Sequence, residues 1–308
     1  MTILATAHAV VDRPAVREPS EKTVSRHLVH RLAVSEVLLT DWRADGPDTF
    51  TAQAQLPRAH SFYDTADGRH DPLLLAEAVR QVGLLISHAE FGVPLGYQFI
   101  LRGLGLEADL GELAVRDRPA DLSFQISCHD IRRRGRILAG MHVHVHVYRD
   151  GSPVGTAHLL MDCVSRGVYQ RLRQLPEIQP PTAPLGAPVA PATVGRDRER
   201  DVVLSPTADP LVWGLRVDQS HPVLFDHEVD HVPGMLLMES MRQAAQCVLA
   251  PNHIPVRSLQ TDFHRYAELF RPCVVRAVPQ PPTAGGQHAV KVTVEQDGDL
   301  IADGTLAG

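Results

Sequence analysis

A phrase that occurs twice constrains this chain more than any other feature. From His70, through Asp71-Pro72 and three leucines, it runs to Glu77-x-x-Arg80-Gln81; from His231, through Val232-Pro233-Gly234, it runs to Glu239-x-x-Arg242-Gln243. The copies lie about 160 residues apart, and each opens an apolar helical run. Repetition at that distance implies two copies of one domain-sized unit, with a site where the copies meet.

Flanking sequence repeats too. Arg58-Ala59-His60-Ser61-Phe62-Tyr63-Asp64 matches Ser220-His221-Pro222-Val223-Leu224-Phe225-Asp226-His227 in residue type, though not in length. Alternating valines before Asp150-Gly151 parallel those before Asp297-Gly298, so each half is expected to close with a hairpin in which Gly supplies positive φ.

A chain of 308 residues, 44% of them hydrophobic, can fill a core in each of two domains. Its formal charge of -6 gives no basic footprint for nucleic acid. No apolar run reaches the ~18 residues that span a bilayer, and the N-terminus lacks a basic region followed by an apolar core. Neither nucleic acid nor membrane is an expected partner, and the expected location is the cytoplasm. Cys128, Cys163, Cys247 and Cys273 stand far apart, as reduced and mostly buried thiols do. Nothing in the pattern calls for a cofactor or a metal.

Along the chain, residues 1–22 are expected to be a loose extension, 23–172 the first domain, 173–204 a proline-rich and charged linker that includes Arg196 to Arg200, and 205–308 the second domain. His27 to Trp42 supplies a strand or a short helix, and Phe50 to Leu56 alternates as a strand does. Asp71-Pro72 starts a buried helix over Leu73 to His88, stopped by Gly92. Strands are predicted at Tyr97 to Leu106, Glu112 to Val115, Leu122 to His129, Ile137 to Tyr148 and Gly155 to Val164. The second half repeats this with a helix from Gly234 to Ala250 and strands at Leu259 to Phe263, Cys273 to Val278, Val290 to Glu295 and Leu300 to Leu306. A long central helix wrapped by an antiparallel sheet, twice over, describes an α+β tandem hot-dog fold forming a pseudo-dimer.

Glu239 lies three residues before Arg242 and four before Gln243, which places all three on one helix face; Glu77, Arg80 and Gln81 repeat this. Buried ions must be paired or used, so the triplet is either an intrahelical ion pair at an interface or part of a site. The helix starts at Pro72 and at Pro233-Gly234 offer backbone N–H groups to a carbonyl or oxyanion. His70, His227 and His231 precede those starts; each can reach the same pocket or serve as a capping or surface histidine. His142, His144 and His146 alternate on one strand face, ~7 Å apart, and are expected to face solvent rather than a metal. Cys247 shares the helix face with Gln243 but reads as core filler. Arg132-Arg133-Arg134 and Arg136 form either a solvated turn or a basic patch for an acidic partner.

The chain resembles the AfsA-like γ-butyrolactone biosynthesis proteins of actinomycetes. The resemblance shows in Val29-His30-Arg31 followed by Glu36-Val37-Leu38-Leu39-Thr40-Asp41-Trp42, in Leu56-Pro57-Arg58-Ala59-His60-Ser61-Phe62-Tyr63-Asp64, in Asp71 to Gln81 and in Asp230 to Gln243, and it spans most of residues 26–308. It implies tandem hot-dog domains and transfer of a β-ketoacyl group from acyl carrier protein to the hydroxyl of dihydroxyacetone phosphate. The ester then cyclises toward a signalling lactone that controls secondary metabolism.

By resemblance, Glu77 and Arg242 are catalytic with Glu239 beside them, and Arg80, Gln81, Gln243, His70, His231 and Gly234 bind substrate. In that scheme Glu77 takes the hydroxyl proton, a helix N-terminus holds the oxyanion, and Arg242 engages phosphate or orients the glutamate. Phe225 stands where a dehydratase would carry its histidine, which counts against dehydration. The alternatives are a hot-dog dehydratase or thioesterase that uses water, and an acyl-binding regulator without activity. A monomer and a homodimer are both compatible with the covalent pseudo-dimer.

Overall fold

Every position from Leu73 to His88 is buried except Arg80, so the helix that carries them lies inside the molecule with one side chain looking out. Its start is fixed by Asp71, whose carboxylate accepts a hydrogen bond from the Leu73 N–H at 2.9 Å, and by Pro72 in the first turn, where a missing N–H costs nothing. The computed structural model describes residues 20–63, 67–173, 184–250, 255–283 and 285–308. Most of the expected N-terminal extension, and Pro176, Pro180 and Pro181 of the expected linker, lie outside these residues.

Two 3₁₀ turns, Arg26–Val29 and Val34–Glu36, precede β1 (Leu39–Ala44) and β2 (Thr49–Leu56), so the stretch left open as strand or helix contains both. Then follow α1 (Pro72–Ala89), β3 (Gln98–Ala108), β4 (Ala120–Arg134), β5 (Ile137–Arg149), β6 (Ser152–Val164) and α2 (Arg166–Arg173). The second half has 3₁₀ turns at Pro191–Val194 and Glu199–Asp201, then β7 (Leu204–Pro206), β8 (Val212–Leu215), α3 (Gly234–Leu249), β9 (Ser258–Phe263), β10 (Cys273–Gln280), β11 (Ala289–Gln296) and β12 (Asp299–Ala307).

All twelve strands form one sheet in the order β1-β2-β4-β5-β6-β3-β9-β12-β11-β10-β8-β7. The order is a palindrome: each strand of the first half has a counterpart at the mirrored place in the second. The seam between halves is the antiparallel pair β3–β9, from Gly103 opposite Asp262 to Glu107 opposite Ser258. α1 and α3 lie against the sheet and touch each other. This is the tandem hot-dog architecture.

Two sequence expectations need correction. Glu112 to Val115 is a turn with a single bridge, Ala114 to Arg69, because Asp109 accepts from the N–H groups of Gly111, Glu112 and Leu113 and curls the chain. Residues 191–203 belong to the second half rather than to a linker: their two 3₁₀ turns copy those of residues 26–36, and the Arg216 N–H donates to the Val203 carbonyl within this segment.

Gly155 sits where β6 crosses the end of β3, and a Cβ there would lie 2.1 Å from the Glu107 carbonyl oxygen. Backbone cannot yield as a flexible side chain does. Gly155→Ala is therefore expected to lower unfolding free energy by about 1–3 kcal/mol, read from urea denaturation; an unchanged midpoint would show that β6 is free to shift.

Candidate functional site

Two buried carboxylates organise the interior. Glu77 accepts from Arg31 (Nε, 3.1 Å; Nη2, 2.6 Å), from Arg80 (Nε, 2.7 Å; Nη2, 2.8 Å) and from the Gln81 amide at 2.8 Å. Glu239 accepts from Arg196 (Nε, 3.0 Å; Nη2, 2.9 Å), from Arg242 (Nε, 2.9 Å; Nη2, 2.7 Å) and from Gln243 at 2.6 Å. Burial disfavours the charge, but Arg31 then Arg80, and Arg196 then Arg242, hold the two carboxyls down at about 2.

The repeat in space is fuller than the repeat in sequence. The Gln81 amide donates to the Glu36 carbonyl and accepts from the Leu38 N–H; Gln243 does the same with Asp201 and Val203. The His60 ring accepts from the N–H groups of Phe62 and Tyr63, and His221 from those of Val223 and Leu224. Those rings face Glu36 at 3.4 Å and Asp201 at 3.3 Å. The arginines then cross between halves: Arg31 Nη1 donates to the Val223 carbonyl, and Arg196 Nη1 to the equivalent Phe62 carbonyl.

Arg196 is the main functional residue that sequence reasoning missed. Its signal is spacing, since Arg31, Glu36 and Leu38 are separated by the same intervals as Arg196, Asp201 and Val203.

Two cavities lie at the junction of the halves. The smaller, about 250 Å³, combines Arg31 and Arg80 of the first half with Val223, His231 and the start of α3 at Pro233-Gly234. The larger, about 530 Å³, combines Arg196 and Arg242 of the second half with Phe62, His70 and the start of α1 at Asp71-Pro72. Glu77 and Arg242, expected to work together, thus lie at different cavities, and Arg80, not Arg242, shares a cavity with Gly234.

The two helix starts differ decisively. At α1 the Asp71 carboxylate occupies the N-terminus and also lies 3.4 Å from Arg196 Nη2, so a carboxylate already sits where an oxyanion would bind. At α3 the preceding residue is Pro233, which supplies no side-chain cap. The smaller cavity therefore retains the positive end of a helix dipole facing its contents. Arg80 spends Nε and Nη2 on Glu77, its side chain is 21% exposed, and Nη1 has no partner among the described residues.

Four histidines, His30, His227, His231 and His264, line this cavity. His30 Nε2 lies 2.9 Å from His88 Nε2, and His88 Nδ1 lies 2.7 Å from the Val93 carbonyl. The carbonyl can only accept, so His88 carries its proton on Nδ1 and His30 donates from Nε2. Burial first, then the charges of Arg80, His88 and His227, push His30 down to about 3, so this wall is neutral. His227 lies 3.4 Å from Asp226, which already accepts from the N–H groups of Leu32 and Ala33. His231 Nδ1 lies 2.7 Å from Asp230. Leu84, Phe99, Ile100, Leu101, Leu237 and Phe263 make the apolar part of the lining.

Elsewhere, His142, His144 and His146 stand on the outer sheet face, half-buried to exposed, as alternation predicts. Among the described residues no three His, Cys, Asp or Glu side chains converge as a metal site. Burial pushes Cys128, Cys163 and Cys273 up to about 12 and Cys247 to about 11, unsuited to nucleophilic work. No helix among the described residues is long and apolar enough to cross a membrane.

Residues 14–165 and 178–308 each match the family model described as the AfsA A-factor biosynthesis hotdog domain. A 2-oxo-3-(phosphooxy)propyl 3-oxoalkanoate synthase of Streptomyces virginiae is 50% identical over 279 residues, covering 91% of this chain and 95% of that protein. A protein of the same name from Streptomyces coelicolor is 40% identical, covering 94% and 93%. Among solved structures, an acyl-ACP thioesterase of Bacteroides thetaiotaomicron superposes with TM-score 0.52 at 15% identity, over 83% of this chain and 97% of that one. A putative oleoyl thioesterase of Lactobacillus plantarum gives TM-score 0.53 at 10% identity, over 84% and 95%. At such identity the superpositions speak for the fold alone, whereas the matches over both halves settle ancestry: the chain belongs to the AfsA family of A-factor biosynthesis hotdog proteins.

Proposed function

We propose that this protein is an acyltransferase that esterifies dihydroxyacetone phosphate with a 3-oxoacyl group carried as a thioester on acyl carrier protein, in the cytoplasm, as a step toward a γ-butyrolactone signalling molecule. The name shared by the relatives describes the ester of a 3-oxo acid with the hydroxyl of that phosphate, and its formation needs an activated acid and that alcohol.

The observation that carries the choice of site is the open start of α3 beside Arg80 in the smaller cavity. Gly234 and the turn that follows it face the thioester carbonyl and stabilise the oxyanion that forms on attack. Arg80 engages the acceptor phosphate through the edge it does not spend on Glu77. The apolar lining takes the acyl chain.

Glu77 is a positioning residue here, not the base expected from resemblance. A carboxylate that accepts from two guanidinium groups and an amide, held at about 2, has little affinity left for a substrate proton. Glu239, which also accepts from Gln243, holds Arg196 and Arg242 in the same way on the other side.

Intact-mass spectrometry of purified protein with 3-oxoacyl carrier protein tests the reaction. Acyl loss that depends on added dihydroxyacetone phosphate, with a new phosphorylated ester, is expected; equal acyl loss without the acceptor would make the protein a hydrolase. Arg80→Gln is expected to raise KM for the acceptor about 10- to 100-fold, the scale of one charge-assisted hydrogen bond, and an unchanged KM would move the phosphate elsewhere.

The carboxylates also set an acid limit. Their folded pKa values lie below the unfolded ones, so protonation favours the unfolded chain; stability is complete above pH about 4.5 and falls as pH drops toward about 2. Glu77→Gln, which strands Arg31, is expected to cost about 3–5 kcal/mol at pH 7 and to flatten that fall. Urea unfolding at pH 7 and pH 3 reads both effects.

A further inference from the structure

We infer that His231, held by Asp230, is the base that takes the proton of the acceptor hydroxyl, an assignment that rests on the transfer reaction proposed above. Asp230 Oδ1 accepts from His231 Nδ1 at 2.7 Å and from the Tyr169 hydroxyl of α2 at 2.6 Å. Arg173, also of α2, donates to the Asp230 carbonyl at 2.9 Å and lies 3.7 Å from its carboxylate, while its other bonds clasp Glu268. The ring of Tyr266 lies edge-on to His231 at 4.8 Å, beneath the Arg173 guanidinium.

An ionised carboxylate on Nδ1 fixes the tautomer: Nδ1 carries the hydrogen and Nε2 the lone pair. Despite burial, the hydrogen bonds of His231 and Tyr169 keep Asp230 at about 2, so it is ionised. Nε2 has no partner among the described residues. The groups facing this imidazole are Asp230 on its own segment, Tyr169 and Arg173 from α2, and Tyr266 and Glu268 from the chain after β9.

The other three cavity histidines are less suited: His264 spends Nε2 on Asp303 at 2.6 Å. His30 spends Nε2 on His88 beside Arg80, and the carboxylate partner of His227 is already committed to two backbone N–H groups. In the twin cavity Arg69, His70 and Asp71 stand where the second half has Asp230, His231 and Val232, and Asp71 turns into the helix start.

In the step itself the hydroxyl O–H bond breaks and its proton moves to His231 Nε2 as the oxygen attacks the thioester carbonyl carbon. Charge gathers on the carbonyl oxygen at the start of α3. The C–S bond then breaks, and the leaving sulfur takes the proton from Nε2, giving ester and free thiol. Asp230 is a positioning residue that stabilises the imidazolium between these events.

The test uses the full chain, 3-oxoacyl carrier protein and dihydroxyacetone phosphate across a pH range. His231→Gln is expected to lower kcat about 10²- to 10⁴-fold with KM for the acceptor changed less than threefold, and to remove the acid limb of the rate profile. Asp230→Asn is expected to lower kcat at least tenfold and to shift that limb to lower pH. Thermal midpoints are read alongside, and His231→Asn, judged by the same criterion, replaces a glutamine variant that fails to fold. An active wild type whose His231 variant stays within threefold and keeps its acid limb overturns the assignment alone; a wild type without acceptor-dependent transfer overturns the reaction and the assignment together.

Discussion

A carboxylate buried between two guanidinium groups is the interaction on which each half of this molecule depends. Desolvating any of these ions costs several kcal/mol, and the cost is offset only because Glu77 and Glu239 each collect donors from two arginines and a glutamine. One arginine of each pair comes from the same helix, three residues on. The other lies between the two 3₁₀ turns that precede the strands of its half, and it donates onward to a carbonyl of the opposite half. The same bonds therefore close each half and tie it to its twin. They also freeze the orientation of Arg80, the one interior position of α1 that faces outward.

From this shared frame the halves diverge, and the differences gather in one cavity. His30 has φ of 52°, a left-handed conformation that costs roughly 1–2 kcal/mol for a residue with a Cβ; its counterpart is Gly195, with φ of 66° and no such cost. That strain places a neutral imidazole, backed by His88, beside Arg80. On the opposite wall Pro233 leaves the start of α3 uncapped, where Asp71 fills the start of α1. Strain, an open helix terminus and an oriented histidine coincide on the smaller cavity, as expected where conformational cost is retained for chemistry.

Much of this was legible in the sequence, and the omissions have physical reasons. The duplication, both central helices and most strands follow from apolar periodicity and from Asp71-Pro72, since burial and capping act on local residues. β7 and β8 span three and four residues, too short for alternation to register. Arg196 follows Pro188 and Pro191 inside a run of charges, the pattern of a solvated linker, and only its contact with Glu239, 43 residues away, reveals a buried ion. His30 and His88 are 58 residues apart and meet only in the fold. The Glu-x-x-Arg-Gln triplet itself shows that carboxylate and guanidinium share a face; it does not show that a second arginine saturates the carboxylate, and saturation separates an anchor from a base.

Covalent joining of the two units explains why such divergence is possible at all. In a symmetric homodimer any change at one junction appears at the other, so a carboxylate that plugged one helix start would plug both. Fused in one chain, the halves keep the β3–β9 seam and the crossed arginines that fix their geometry while each helix start changes alone. In the proposed reaction, the reacting carbonyl is addressed by α3 of the second half and the acceptor phosphate by Arg80 of the first. Their separation is set by the seam and the buried ion clusters rather than by mobile loops. Transfer between two substrates needs that fixed separation more than hydrolysis does, because the attacking oxygen belongs to a second bound molecule whose placement must be held to about the length of a hydrogen bond.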